Sequence, residues 1–299
     1  MSHILNSVMT KNVWAGAFFM VMAGVAFAIA NALTQIVTSQ MGFKPQSDAF
    51  WQYLIALILS LPFLWRHGAA GLKTKHPVVH LIRVVLSAFG VQAFVVSLSQ
   101  GVPLWQVIAL VMTSPFFVMI GAWLFLGENV GVQRWLAAVV GFAGAMIILQ
   151  PSGFTTASLL PVAAAVLWGA ASLLTKFLTA DEPSTSITVW LLLLLSPINA
   201  AISYHAGFEI PSGNILWLLL AGGIVILAAQ YFLTRSYAAA DAAFVQPFDD
   251  IKLISNVVVG GLVFHYWPEG HLWLGVAMIL AASSFLLWTE SGKKTLAAV

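Results

Sequence analysis

The chain has 299 residues, 61% of them hydrophobic and 7% charged, with a formal net charge of +2 and no cysteine. Soluble domains carry about 25% charged residues, because something must cover their surface. The 12 Lys and Arg and 10 Asp and Glu found here exclude a soluble enzyme, a nucleic-acid binder and a disordered chain, which leaves an integral protein of the lipid bilayer.

Apolar runs between polar punctuation give ten expected membrane helices, each near the roughly 20 residues that a crossing needs. They cover 13–37, 49–66, 77–98, 102–126 and 131–149, then 157–179, 184–205, 213–236, 241–265 and 269–289. The runs are continuous rather than alternating, which disfavours a β-barrel. Ala26-Phe27-Ala28 superficially resembles a signal cleavage site, yet the run is too long for a signal peptide and reads as the first span. Placing the N-terminus inside collects Lys11, Arg66, Lys73, Lys75, Arg134, Lys176, Arg235, Lys293 and Lys294 on the cytoplasmic side and Lys44 on the other. The positive-inside rule then puts both termini in the cytoplasm.

The two halves, 1–150 and 151–299, overlay at an offset of 141 residues, with Ala23/Ala164, Ala30/Ala171, Leu33/Leu174, Thr34/Thr175 and Thr38/Thr179 among the identities. Each half holds five spans. Five is odd, so the second half enters the membrane inverted relative to the first. Inverted repeats place a transported substrate at their interface near the midplane. The expected fold is therefore an all-α membrane protein of ten transmembrane helices, built as two inverted five-helix repeats.

Polar residues inside apolar spans mark the candidate pathway. In the first span Phe27, Asn31 and Gln35 share one helical face, and the offset aligns them with Trp168, Ser172 and Lys176 in the sixth. His76 and His80 at i, i+4 would suit zinc, but no Glu or third ligand accompanies them, so no metal is expected. His80 and Arg83 are instead assigned to the pathway at the cytoplasmic half of span three, and Gln230 to it in span eight. Span nine carries Asp249, Asp250 and Lys252 around Pro247. Asp249, Lys252 and Asn256 form one stripe, and a mid-membrane charge costs about 2.5–3.5 kcal/mol on insertion scales, so they should face a wet cavity or each other. Lys252, one turn from Asp249, is expected to keep it ionised and leave Asp250 to accept a proton or hold a substrate ammonium; the alternative is a purely structural Asp249–Lys252 ion pair. Pro247 suits a broken helix. No nucleophile elbow and no P-loop occurs, so neither an enzyme, a cofactor nor an ATP-driven pump is expected.

The chain resembles the drug/metabolite transporter superfamily in its ten-helix EamA-like form. The resemblance rests on Leu126-Gly127-Glu128, Gly141 and Gly144, on Leu167-Trp168-Gly169 with Lys176, and on Pro247-Phe248-Asp249. After Phe264, His265-Tyr266 stand where the first repeat has Gly-Glu. The resemblance implies export of small metabolites across the bacterial inner membrane, with amino-acid exporters of the YddG type as the nearest analogy. The expectation is a secondary exporter of amino acids or similar metabolites working by alternating access as a monomer. The alternatives are an exporter of organic cations or drugs, a passive channel and an intramembrane enzyme.

Overall fold

The computed structural model describes residues 12–67, 72–99, 110–111, 113–149, 159–264, 270 and 272–297. The helices are α1 (Val13–Gln35), α2 (Pro45–His67), α3 (Pro77–Ser99), α4 (Ser114–Phe125), α5 (Val132–Leu149) and α6 (Leu159–Leu178). They continue as α7 (Ser184–His205), α8 (Asn214–Ala239), α9 (Ala242–Asp249), α10 (Ile251–Phe264) and α11 (Leu272–Ala297). No strand occurs among the described residues. The first part of the expected fourth span and His265-Tyr266 lie outside them.

Local chemistry sets the helix ends. The Asn12 side chain accepts from the Ala15 N–H at 3.1 Å and caps α1, while Pro45 and Pro77 open α2 and α3, where a missing N–H costs nothing. The α4 helix starts at Ser114-Pro115 after a turn at Thr113 and ends where Gly127 takes φ +64°. That left-handed position, which favours glycine, turns Glu128 back over the end of the helix, and the Ala122 carbonyl accepts from both Leu126 and Glu128 N–H.

Four segments (13–38, 159–178, 184–205 and 214–239) are long and apolar enough to cross a membrane by length and composition. Large apolar side chains stand outward, among them Trp14, Phe18, Trp123, Trp217, Trp273 and Trp288. Such a surface suits lipid rather than water. Between helices the hydrophobic effect offers little in lipid, so small residues and close packing carry the association. A Cβ at Gly24 of α1 would lie 3.3 Å from the Lys252 Cα of α10, and one at Gly144 of α5 would lie 2.7 Å from the Gly275 carbonyl of α11.

Helix α1 packs against α8, α9 and α10; α3 packs against α6 and α7; α4 lies against α6 and α9; and α5 lies against α11. The largest buried cluster joins Met20 of α1, Val118 and Met119 of α4, Phe244 and Phe248 of α9 and Leu286 of α11. It surrounds α9, whose residues 242–248 are all buried.

Candidate functional site

The site begins with the two faces of α1. Trp14, Phe18 and Ile29 form its exposed apolar stripe. Asn31 and Gln35 lie about 100–140° around the helix from Phe18, at 100° per residue, and are exposed as well. Lower on their face Met20, Gly24 and Ala28 are buried. One interior face is therefore packed at its Val13 end and open at its Gln35 end, as the wall of a cleft would be. Phe27, the third member of the expected trio, is half-buried against Ala30, Ala56, Leu192 and Ile226, on the α2 and α8 side.

Helices α9 and α10 supply the polar floor. The chain breaks at Asp250, three residues after Pro247, which removes a backbone donor and crowds the preceding turn. Lys252 Nζ donates to Asp249 Oδ2 at 2.9 Å, and the two side chains are 28% and 20% exposed. Asn256 Nδ2 donates to the Lys252 carbonyl at 2.7 Å. Asn31 Nδ2 then donates across to Asn256 Oδ1 at 3.0 Å, a bridge permitted by the close approach at Gly24. Asp249, Lys252, Asn256 and Asn31 thus form one connected polar row. Asp250 stands apart. It is buried, its Oδ1 has no hydrogen-bond partner among the described residues, and a Cβ on Gly141 would meet its Oδ2 at 2.6 Å.

Trp168 lies on α6, on the side opposite the exposed Leu159 and Val166. Its Nε1 donates to the Ser87 carbonyl at 3.2 Å, and its ring is 5.9 Å from that of Phe94. Gly90 makes room, since a Cβ there would fall 2.5 Å from the indole nitrogen. Ser172 is hydrogen-bonded to the Tyr237 hydroxyl, which donates to Gln246 Oε1 at 2.8 Å. Lys176 Nζ donates to the Tyr237 carbonyl at 2.7 Å and to that of Ala240, at the carbonyl-rich end of α8, where a cation is favoured.

The Val13 end of the bundle is tied shut. Glu128 accepts from the Ala242 and Ala243 N–H groups, each at 2.9 Å, through its two carboxylate oxygens. Arg134 Nη2 donates to Asp241 Oδ2 at 3.2 Å, and Ser236 Oγ donates to the Gly16 carbonyl at 2.7 Å. A carboxylate from the α4–α5 turn therefore caps the N-terminus of α9, where the helix dipole also favours negative charge.

The remaining expected residues lie elsewhere. His80 is buried beside Glu182, Nε2 to Oε2 2.8 Å, and stacks on Trp190 with ring centroids 5.4 Å apart. Arg83 donates to Thr175 Oγ1 at 3.1 Å and to the Ile187 carbonyl at 2.9 Å. With Thr74 bonded to Glu182 and His76 3.0 Å from Asp181, they bind the start of α3 to the α6–α7 turn. Gln230 is hydrogen-bonded to Tyr53. Among the described residues no group of three or more His, Asp or Glu is placed to hold a metal. Glu128 and Glu182 were not singled out as site residues from the sequence. Each stands in a turn, Glu128 between Gly127 and Asn129 and Glu182 between Asp181 and Pro183, and only its burial, 9% and 8% exposed, distinguishes it from a solvated loop carboxylate.

The sequence model of the EamA-like transporter family matches residues 14–150 and again 155–288. A riboflavin transporter of Rhizobium johnstonii is 56% identical over 277 residues, covering 92% of this chain and 91% of that protein. A riboflavin transporter of Vibrio cholerae is 44% identical over 282 residues, covering 93% and 94%. A crystal structure of a protein 17% identical in sequence superposes with a TM-score of 0.76 over 90% of this chain and 94% of that one, which shows a shared fold.

Proposed function

The chain belongs to the EamA-like transporter family and is a multi-pass membrane transporter of a small metabolite, not an enzyme; from that premise we propose that it carries riboflavin across the bacterial inner membrane by alternating access. The observation that carries the reading is the connected row Asp249–Lys252–Asn256–Asn31 on a face open at one end and packed at the other. The names of the two similar transporters add the substrate.

The chemistry fits. Riboflavin is uncharged near neutral pH, with a flat ring system, a polar pyrimidine-dione edge and a hydroxylated chain. A cleft that shows Asp249 and Lys252 as a matched pair presents no net charge for a cation to seek, while both groups bond to hydroxyls. Trp168, beside Phe94 at the α3–α6 contact, is the aromatic surface assigned to stack on the ring in this reading.

The double match to the family, over 14–150 and 155–288, supports two repeats, 1–150 and 151–299, in the inverted ten-span arrangement. With the N-terminus cytoplasmic, the cleft opens outward and the Glu128–α9 contact forms the cytoplasmic seal. Alternating access then exchanges that seal for one at the Gln35 end. One chain holds both walls, so the monomer is the working unit. The direction proposed is uptake, because a cell that consumes riboflavin maintains an inward gradient that an uncoupled carrier follows. Amino-acid export is the second reading, favoured by the opposite charges at Asp249 and Lys252, which suit a zwitterion.

Counterflow in proteoliposomes separates the two. Vesicles preloaded with riboflavin should accumulate labelled riboflavin saturably, whereas vesicles preloaded with amino acids should accumulate no labelled amino acid. Amino-acid counterflow without riboflavin counterflow would reverse the assignment.

A further inference from the structure

On the basis of that substrate reading, we infer that Asn31 and Asn256 form the specificity determinant of the cleft, recognising the imide edge (carbonyl, N–H, carbonyl) of the flavin ring. Two carboxamides from different helices meet here at 3.0 Å on the open part of the interior face. Their mutual bond leaves a defined remainder. A carboxamide has two N–H donors and an oxygen acceptor. Asn31 spends one N–H on Asn256 and keeps the other together with its oxygen. Asn256 spends one N–H on the Lys252 carbonyl and keeps the second. Asn31 therefore presents a donor beside an acceptor, the complement of one carbonyl and the adjoining N–H of an imide, and Asn256 adds a second donor at the nitrogen end of that amide.

The helices hold this pattern in place. Gly24 brings the α1 backbone against α10 at Lys252, one turn before Asn256 and about two turns before Asn31. The Asn256–Lys252 bond fixes the second amide along its own helix. Neither asparagine needs to change partners to receive the ligand, so recognition meets a pre-arranged edge. A site built on hydrogen bonds rejects an analogue that cannot form them more strongly than an apolar pocket rejects a change of size.

The test is competition against labelled riboflavin uptake in proteoliposomes containing the full chain, with Asn31→Ala and Asn256→Ala beside the parent protein. The competitors are N3-methylriboflavin, which lacks the imide proton, and lumiflavin, which keeps the imide but lacks the ribityl chain. In the parent protein lumiflavin should compete, and N3-methylriboflavin should compete at least about tenfold more weakly than riboflavin, because the methyl group leaves an asparagine acceptor unpaired beneath the bound ring. Either alanine variant should raise the KM for riboflavin and treat the two ribityl-bearing flavins alike. Equal competition by riboflavin and N3-methylriboflavin in the parent protein would overturn the inference while leaving riboflavin transport standing, and that comparison decides even if a variant fails to insert. Absence of riboflavin uptake by the parent protein would remove the substrate reading and this inference with it.

Discussion

Asp249 and Lys252 share one polar neighbourhood in the apolar interior, and their value is mutual. Partly exposed, the pair lies between surface ion pairs worth about 0–1 kcal/mol and buried ones whose broken halves cost about 3–5 kcal/mol. Asp249→Asn or Lys252→Met should each lower stability by about 1–2 kcal/mol on that scale, and the double variant should recover most of the loss. Thermal unfolding in detergent measures this, and equal losses that simply add would show that the two do not interact. The spacing of Asp249, Lys252 and Asn256 predicts their common face, on which Lys252 Nζ donates to Asp249 Oδ2. Lys176 was legible only as a polar residue on an interior face. Its partners, the carbonyls of Tyr237 and Ala240, come from a helix whose proximity no local pattern announces. Phe27 illustrates the same limit, since its half-buried ring belongs to the packing beside Ala56 and Leu192.

Among the elements, the half-helix α9 governs the sealed end. The Pro247 signal for an interrupted span corresponds to the break at Asp250, and Thr113 marks a second turn just before α4. What secures α9 was not legible, because Glu128 stands 114 residues from its partner Ala242. Glu128→Gln keeps the shape of the side chain but turns one acceptor into a donor facing a donor. The lost cap and charge–dipole interaction are each worth about 1 kcal/mol. Amide hydrogen exchange over residues 242–248 should therefore quicken about tenfold or more, while exchange within α7 stays unchanged. Identical protection of α9 in both proteins would show that Glu128 does not hold the seal.

At the scale of the whole molecule, most described helix boundaries fall within a few residues of the apolar runs, because length and hydrophobicity are what a bilayer demands, while the ninth run is split in two and the last helix continues to Ala297. Which helices adjoin depends on small-residue contacts such as Gly24 against Lys252 and Gly144 against Gly275, which composition alone does not pair. The orientation read from Lys and Arg has a direct check. A cysteine replacing Ser212, between α7 and α8, should react with an impermeant thiol reagent from outside the cell, and one replacing Lys75, before α3, only from the cytoplasm. The reverse pattern would place the open end of the cleft in the cytoplasm.

Fluorescence titration of riboflavin into the purified carrier and its Trp168→Ala variant tests most directly whether the cleft holds the flavin ring against α6. Saturable quenching is predicted for the parent protein, because an indole stacked on the ring quenches its emission. The variant should bind at least about tenfold more weakly, in line with the roughly 1–3 kcal/mol that a stacking contact contributes. Unchanged affinity and quenching in a folded Trp168→Ala protein would place riboflavin elsewhere on the molecule.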